Sequence, residues 1–143
     1  MKLTSLDEAC SALVAIDLAR SAPPGPWTAA QVLIHCAQSI EYSLSGFPRN
    51  KSRLFQSVLG RLALGKFLRQ GYMRHNLKAP IPGAPLPEAI DPEAARNRLL
   101  KAIADFQAHD GAFAPHFAYG PVEKSRYDRV QAMHIADHLA SFA

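Results

Sequence analysis

Only two cysteines, Cys10 and Cys36, occur in 143 residues. That is too few for a disulfide framework and fits a reducing compartment, with both thiols read as buried structural groups. No apolar run approaches the length that spans a bilayer. The opening stretch, MKLTSLDEAC, has no apolar core and no cleavage site of a secretory signal, because Asp7 and Glu8 interrupt it. The cytoplasm is therefore the expected location. Internal repeats, alternating strand patterns and interdomain linkers are also missing. The length suits one domain over residues 1–143, and the hydrophobic fraction of 48% is enough for one core.

Acidic residues are missing from one third of the chain. Between Tyr42 and Pro87 there is no Asp or Glu, whereas Arg49, Lys51, Arg53, Arg61, Lys66, Arg69, Arg74 and Lys78 all fall there. The rest of the chain sets eight Lys and Arg against all 12 acids, so the net charge of +4 conceals a basic region at 49–78 on an acidic remainder. Such a region attracts an acidic partner, pairs with the remainder across the fold, or stays solvated.

What is present reads as helix. Ser5 with Glu8 makes a capping-box pattern, and Leu6, Cys10 and Leu13 follow at helical spacing, so a first helix is expected from about Ser5 to Arg20. SAPPGP ends it. Thr28 with Gln31 repeats the cap logic for a second helix, Thr28 to Ser45, with Gly46 placed to stop it and Trp27 before it in the core. A third helix, about Ser52 to Arg69, carries Leu54, Phe55, Val58, Leu59 and Leu62 on one side, and its Gly60 and Gly65 weaken it. APIPGAPLP is too stiff for helix or central strand and too apolar for a tether, so it should pack along the domain. Asp91-Pro92-Glu93 starts a fourth helix running to about Gln107. A last helix follows from about Ser125. The expected class is all-α, a helical bundle.

The chain closes on MHIADHLASFA, with His134 and His138 four positions apart on one helical face. Two imidazoles so placed reach one transition-metal ion, each needing about 2 Å from nitrogen to metal. Among six histidines such a pair arises by chance in roughly a quarter of chains of this length, so the motif alone is weak. Tyr127 and Gln131 share its stripe. Ile135 stands where zinc proteases of the H-E-x-x-H type hold their general base, which excludes that chemistry. A catalytic site typically needs a third protein ligand. His35, His75, His109 and His116 are the candidates, and periodicity does not choose among them. The apolar line of the second helix is Ala29, Leu33, Cys36, Ile40 and Leu44. His35 lies off it with Gln31, Gln38 and Tyr42, and by itself reads as half-exposed.

PWTAAQVLIHCAQSIEYSLSGFP (Pro26 to Pro48) and HIADHLASF (His134 to Phe142) resemble the two metal-bearing helices of the DinB/YfiT-like superfamily. YSLSGFPRNKS, PIPGAP and PHFAYG resemble a branch of it known as a domain of unknown function. The resemblance implies a DinB-like four-helix bundle with a segment crossing between its second and third core helices, here the helix at 52–69 and the proline-rich stretch. It implies a three-histidine site, His35, His134 and His138, for zinc, nickel or another divalent ion, and an association of two copies. Relatives in that superfamily include thiol-dependent transferases and an isomerase that use a low-molecular-weight thiol. This chain lacks the basic-glycine-glutamine run that often follows the histidine pair.

These implications lead to a metal-dependent enzyme acting on a small molecule, with a thiol or hydroxide nucleophile. Asp137 is expected to accept a proton from the far nitrogen of His134. Tyr42, His116, Tyr119, Tyr127 and Gln131 are expected pocket residues, while His75 and His109 receive no role. One alternative is a non-catalytic module using the basic 49–78 region. Another is a purely structural ion. The chain has neither the stacking pattern of a single-strand binder nor a readable recognition helix, so no nucleic-acid partner is expected, and no membrane.

Overall fold

The computed structural model describes residues 1–142. Among them the regular structure is helical, with one isolated antiparallel bridge, His116 to Gly120, in a loop. The order is α1 (Leu6–Ala15), α2 (Ala29–Ser45), α3 (Arg53–Phe55), a π-helical turn (Gln56–Gly60), α4 (Arg61–Gln70), α5 (Pro92–Ala108) and α6 (Lys124–Leu139). None of these helices is long and apolar enough to cross a membrane.

Local chemistry accounts for most boundaries. Thr28 and Gln31 form a complete capping box at the start of α2, and Gly46, at φ 103°, donates its N–H to the Tyr42 carbonyl at the end. Asp91 caps α5 by accepting from the Ala94 N–H, with Pro92 in the first turn. Caps of this kind contribute about 1 kcal/mol each. In α1 the Ser5 hydroxyl accepts from the Glu8 N–H, but the Glu8 carboxylate reaches back to Thr4, so the box is only half formed.

The first helix is shorter than its pattern suggests. It stops at Ala15, where Ile16 turns extended, five residues before Arg20. Two contacts explain the early end. Arg96 of α5 donates to the carbonyls of Leu13 and Val14, and Asp17 starts its own turn by accepting the Ala19 N–H.

One core joins α1, α2, α5 and α6, with Leu6, Leu13, Leu33, Ile40, Leu99, Ile103, Tyr127 and Ile135 sealed from solvent. Helix α2 packs chiefly on α5, α1 bridges α6 and α5, and α4 lies on α6. A second, smaller cluster (Leu64, Met73, Tyr119, Val130 and Met133) binds α4 and the chain after it to α6.

The run from 53 to 70 is helical as expected, but its apolar row faces outward. Leu54 and Leu62 are 76% and 68% exposed, with Val58 and Leu59 also exposed, while Leu64 and the partly buried Phe67 make the inward contacts. The π-helical turn re-phases the run so that Gly60 meets the loop 116–120. A Cβ at Gly60 would stand 1.9 Å from the Ala118 carbonyl oxygen, so glycine is what permits this close approach. Gln56 donates its side-chain amide to the Phe117 carbonyl, and the Lys51 N–H does the same. Residues 79–87 pack along the body, as expected, with Ile81 buried. Gln38 and Gln31 of α2 donate to the carbonyls of Pro85 and Pro87.

Candidate metal centre

His35 comes from the middle of α2, and His134 and His138 from the last two turns of α6. The fold brings all three together. It also brings His75, from the irregular segment after α4, so that four ring nitrogens, one from each residue, lie within 4.8 Å of one another. His35 Nε2 is 3.2 Å from His134 Nε2, and His75 Nε2 is 3.1 Å from His138 Nε2. A tetrahedral ion with bonds near 2.05 Å places its ligands about 3.3 Å apart, so two edges of such a figure already exist. The chemistry of the donor set agrees. Imidazole nitrogens suit zinc, nickel, copper and iron better than calcium or magnesium.

Electrostatics keep these rings ready as ligands. Burial, with a smaller contribution from His75, pushes His35 down to about 4. Burial followed by His35 and His75 pushes His138 down to about 2, and His134 is lowered by burial and by all the surrounding imidazoles. Each ring therefore stays neutral at physiological pH and offers a lone pair. Each Nε2 pair, at 3.1–3.2 Å, is at hydrogen-bonding distance with one ring donating, and a cation between them would take up both lone pairs instead.

His35 is buried, at 3% exposure, although by periodicity it reads as half-exposed. The reason is tertiary. The polar stripe Gln31, His35 and Gln38 lies where the proline-rich segment crosses α2, so a face that looks solvated in one dimension is covered in three.

His75, which receives no role from the sequence, is the fourth member of the cluster. It sits on chain with no helical period, and no spacing ties it to the pair 59 residues or more further on. Only the packing of that segment on α6 makes the connection. The expected partner of His134 is also corrected. Asp137 Oδ2 lies 2.8 Å from His75 Nδ1, a close pair out of line for a hydrogen bond, and accepts the His75 backbone N–H at 3.1 Å. The Nδ1 atoms of His35 and His134 are buried without a partner among the described residues. Asp137 thus positions His75 and the segment after α4 instead of the helical pair.

A cavity of about 290 Å³ adjoins the cluster. His35, His75 and His134 form part of its wall, with His116, Tyr119 and Gln131 from the expected pocket set. Gln131 is held by Ser39, since it accepts from the Ser39 hydroxyl and donates to the Ser39 carbonyl. Tyr42 and Tyr127 are elsewhere. Tyr42 packs on Phe47, and Tyr127 is fully buried among Phe106 and Phe113, its hydroxyl on the Ala114 carbonyl. His109 is likewise apart, packed on Phe113.

Both cysteines are free thiols. Cys36 is buried, and its pKa is raised by burial; Cys10 is half-buried and raised for the same reason first, then by Asp7. Neither belongs to the cluster.

No curated protein matches the chain, and no solved structure does. A family model described as "Protein of unknown function (DUF1569)" matches residues 1–143, so this chain, with its four clustered histidines, belongs to that family.

Proposed function

We propose that the protein is a divalent-metal-dependent enzyme of the DinB/YfiT-like type. On this reading α1, α2, α5 and α6 form a four-helix bundle, and residues 53–87 form its crossing segment. His35, His134 and His138 hold the ion, with His75 as a fourth ligand from the crossing segment. The observation that carries the reading is the shared wall. Three of the four histidines also line the neighbouring cavity, which puts the ion beside space for a small molecule. A purely structural ion needs no such space.

A bound divalent ion would lower the pKa of a coordinated water or thiol and so supply a nucleophile near neutral pH. The protein's own residues do the rest. Asp137 holds the His75 backbone in place beside its ring, Met73, Ile81 and Val130 give the cavity an apolar side, and neutral imidazoles would leave the ion its full charge. The favoured chemistry is addition or transfer of a low-molecular-weight thiol to an electrophilic carbon.

The first test is metal analysis of untagged protein after exposure to zinc, nickel and manganese. One equivalent is expected, and His138→Ala should lose it. Protein that takes up none of the three would sink the proposal. Turnover is then assayed with several thiols against a set of electrophiles, where thiol-independent hydrolysis would reassign the reaction class.

One observation favours a second reading, a module that docks an acidic partner. None of the eight basic residues at 49–78 forms an ion pair with an Asp or Glu among the described residues, and the exposed row Leu54, Val58, Leu59 and Leu62 runs beside several of them. That reading predicts an affinity falling steeply with salt.

A further inference from the structure

Apart from the clustered histidines, whose lone pairs face the proposed ion, the free polar groups of the cavity share a bias. His116 Nδ1 accepts the backbone N–H groups of Ala118 and Tyr119, at 3.1 and 3.3 Å. That contact settles the tautomer, because a nitrogen that accepts two bonds carries no proton. The proton of the neutral ring is therefore on Nε2. Burial depresses His116 to about 3, so the ring does not gain a second proton near neutral pH. Among the described residues Nε2–H has no partner, and unlike the Nδ1 atoms of His35 and His134 it is not sealed off. It is thus a fixed donor on a residue of the cavity wall.

The other free groups have the same character. Lys51 lines the cavity from an exposed position and makes no ion pair among the described residues, its ammonium standing 5.5 Å from the centre of the Phe55 ring. Asn76 accepts the Lys78 N–H through Oδ1, which leaves its NH2 as the free end. Ser39 spends its hydroxyl proton on Gln131, whose amide donates to the Ser39 carbonyl. Among the described residues no Asp or Glu lines the space, and much of the remaining wall is apolar, including Met73, Ile81, Phe117 and Val130. An imidazole N–H, an ammonium and an amide NH2 all donate, and an occupant rich in acceptors is what satisfies them.

We infer that this cavity takes a small carboxylate with an apolar body, its oxygens held by His116 Nε2–H and Lys51 while the remainder lies against the apolar wall next to the four histidines. The inference rests on reading the cavity as the substrate site of the metal centre, and it names the substrate class. A volume of about 290 Å³ limits the occupant to one ring or a short branched chain. His116 then acts as a specificity residue, and Tyr119, stacked on it at 4.2 Å, holds its plane.

The test is calorimetric titration of the full chain with phenylacetate, phenylacetamide and phenethylamine, three probes of nearly one shape, each with and without one equivalent of zinc. Phenylacetate should bind about ten-fold more tightly than either of the others. His116→Asn retains an acceptor where Nδ1 stands and removes the Nε2 donor, so the loop should still fold. Lys51→Met changes only the rim. Each should weaken phenylacetate about five-fold or more, weaken phenylacetamide less and leave zinc stoichiometry intact. Equal binding of the three probes, no binding of phenylacetate, or an undiminished preference in both variants would overturn the inference. Zinc binding without carboxylate preference defeats this inference alone. Carboxylate preference in protein that takes no zinc defeats the metal reading alone.

Discussion

At the scale of single residues, the site turns on which nitrogen carries which proton. Asp137 accepts the His75 backbone N–H and stands 2.8 Å from its ring Nδ1, so Asp137→Asn should weaken zinc about 10- to 100-fold without unfolding the protein. A competition titration against a chelator measures this, and unchanged affinity would show that His75 is not a ligand. A second expectation follows from burial. His116 is depressed from 6.5 to about 3, and His35 to about 4. Between those values and 6.5 the unfolded chain binds more protons than the folded one. Stability from these groups is complete above about pH 6.5 and is lost as pH falls, by up to about 1.4 kcal/mol per pH unit for each ring. Metal-free protein should therefore melt lower at about pH 5 than at about pH 7, and His116→Asn should flatten that slope. A melting temperature that climbs on acidification would contradict neutral buried rings.

At the scale of elements, the helical run from 53 to 70 contains two glycines with opposite roles. Gly60 stands against the Ala118 carbonyl, whereas a Cβ at Gly65 meets nothing within 4 Å. Gly65→Ala should stabilise by about 0.5–1 kcal/mol, as alanine does in an exposed helix interior. Gly60→Ala should destabilise by about 1–3 kcal/mol by pushing the 116–120 loop away, and with it His116 and Tyr119. Urea unfolding of the two variants separates these outcomes, and equal effects would mean that the close approach at Gly60 is not needed. The sequence treats both glycines alike, as weak points in a helix, because the atom that distinguishes them belongs to a loop 58 residues away.

At the scale of the molecule, the four histidines come from α2, the segment after α4 and α6, so an ion held by them would tie together three parts of the chain that are remote in sequence. Zinc at a hundred times its dissociation constant adds about 2.7 kcal/mol. For a domain of this size that should raise Tm by roughly 5–10 °C. The increase should vanish in His138→Ala, and amide exchange in residues 71–87 should slow when zinc is present. A zinc-independent Tm with normal folding would leave the cluster as packing alone.

Much of this was legible in one dimension. Helix starts at Thr28 and Asp91, the stop at Gly46 and the placing of two imidazoles on one face of α6 all depend on residues within about four positions of each other, where backbone geometry alone decides. The pairing of His35 with that face came from resemblance, since its own helical period pointed to solvent. Tertiary structure decided the rest: the end of α1 at Ala15, set by Arg96; the outward apolar row of the crossing helix; the burial of His35 beneath the proline-rich segment; and the entry of His75 with Asp137. Each depends on a contact between residues far apart along the chain, which no local period encodes.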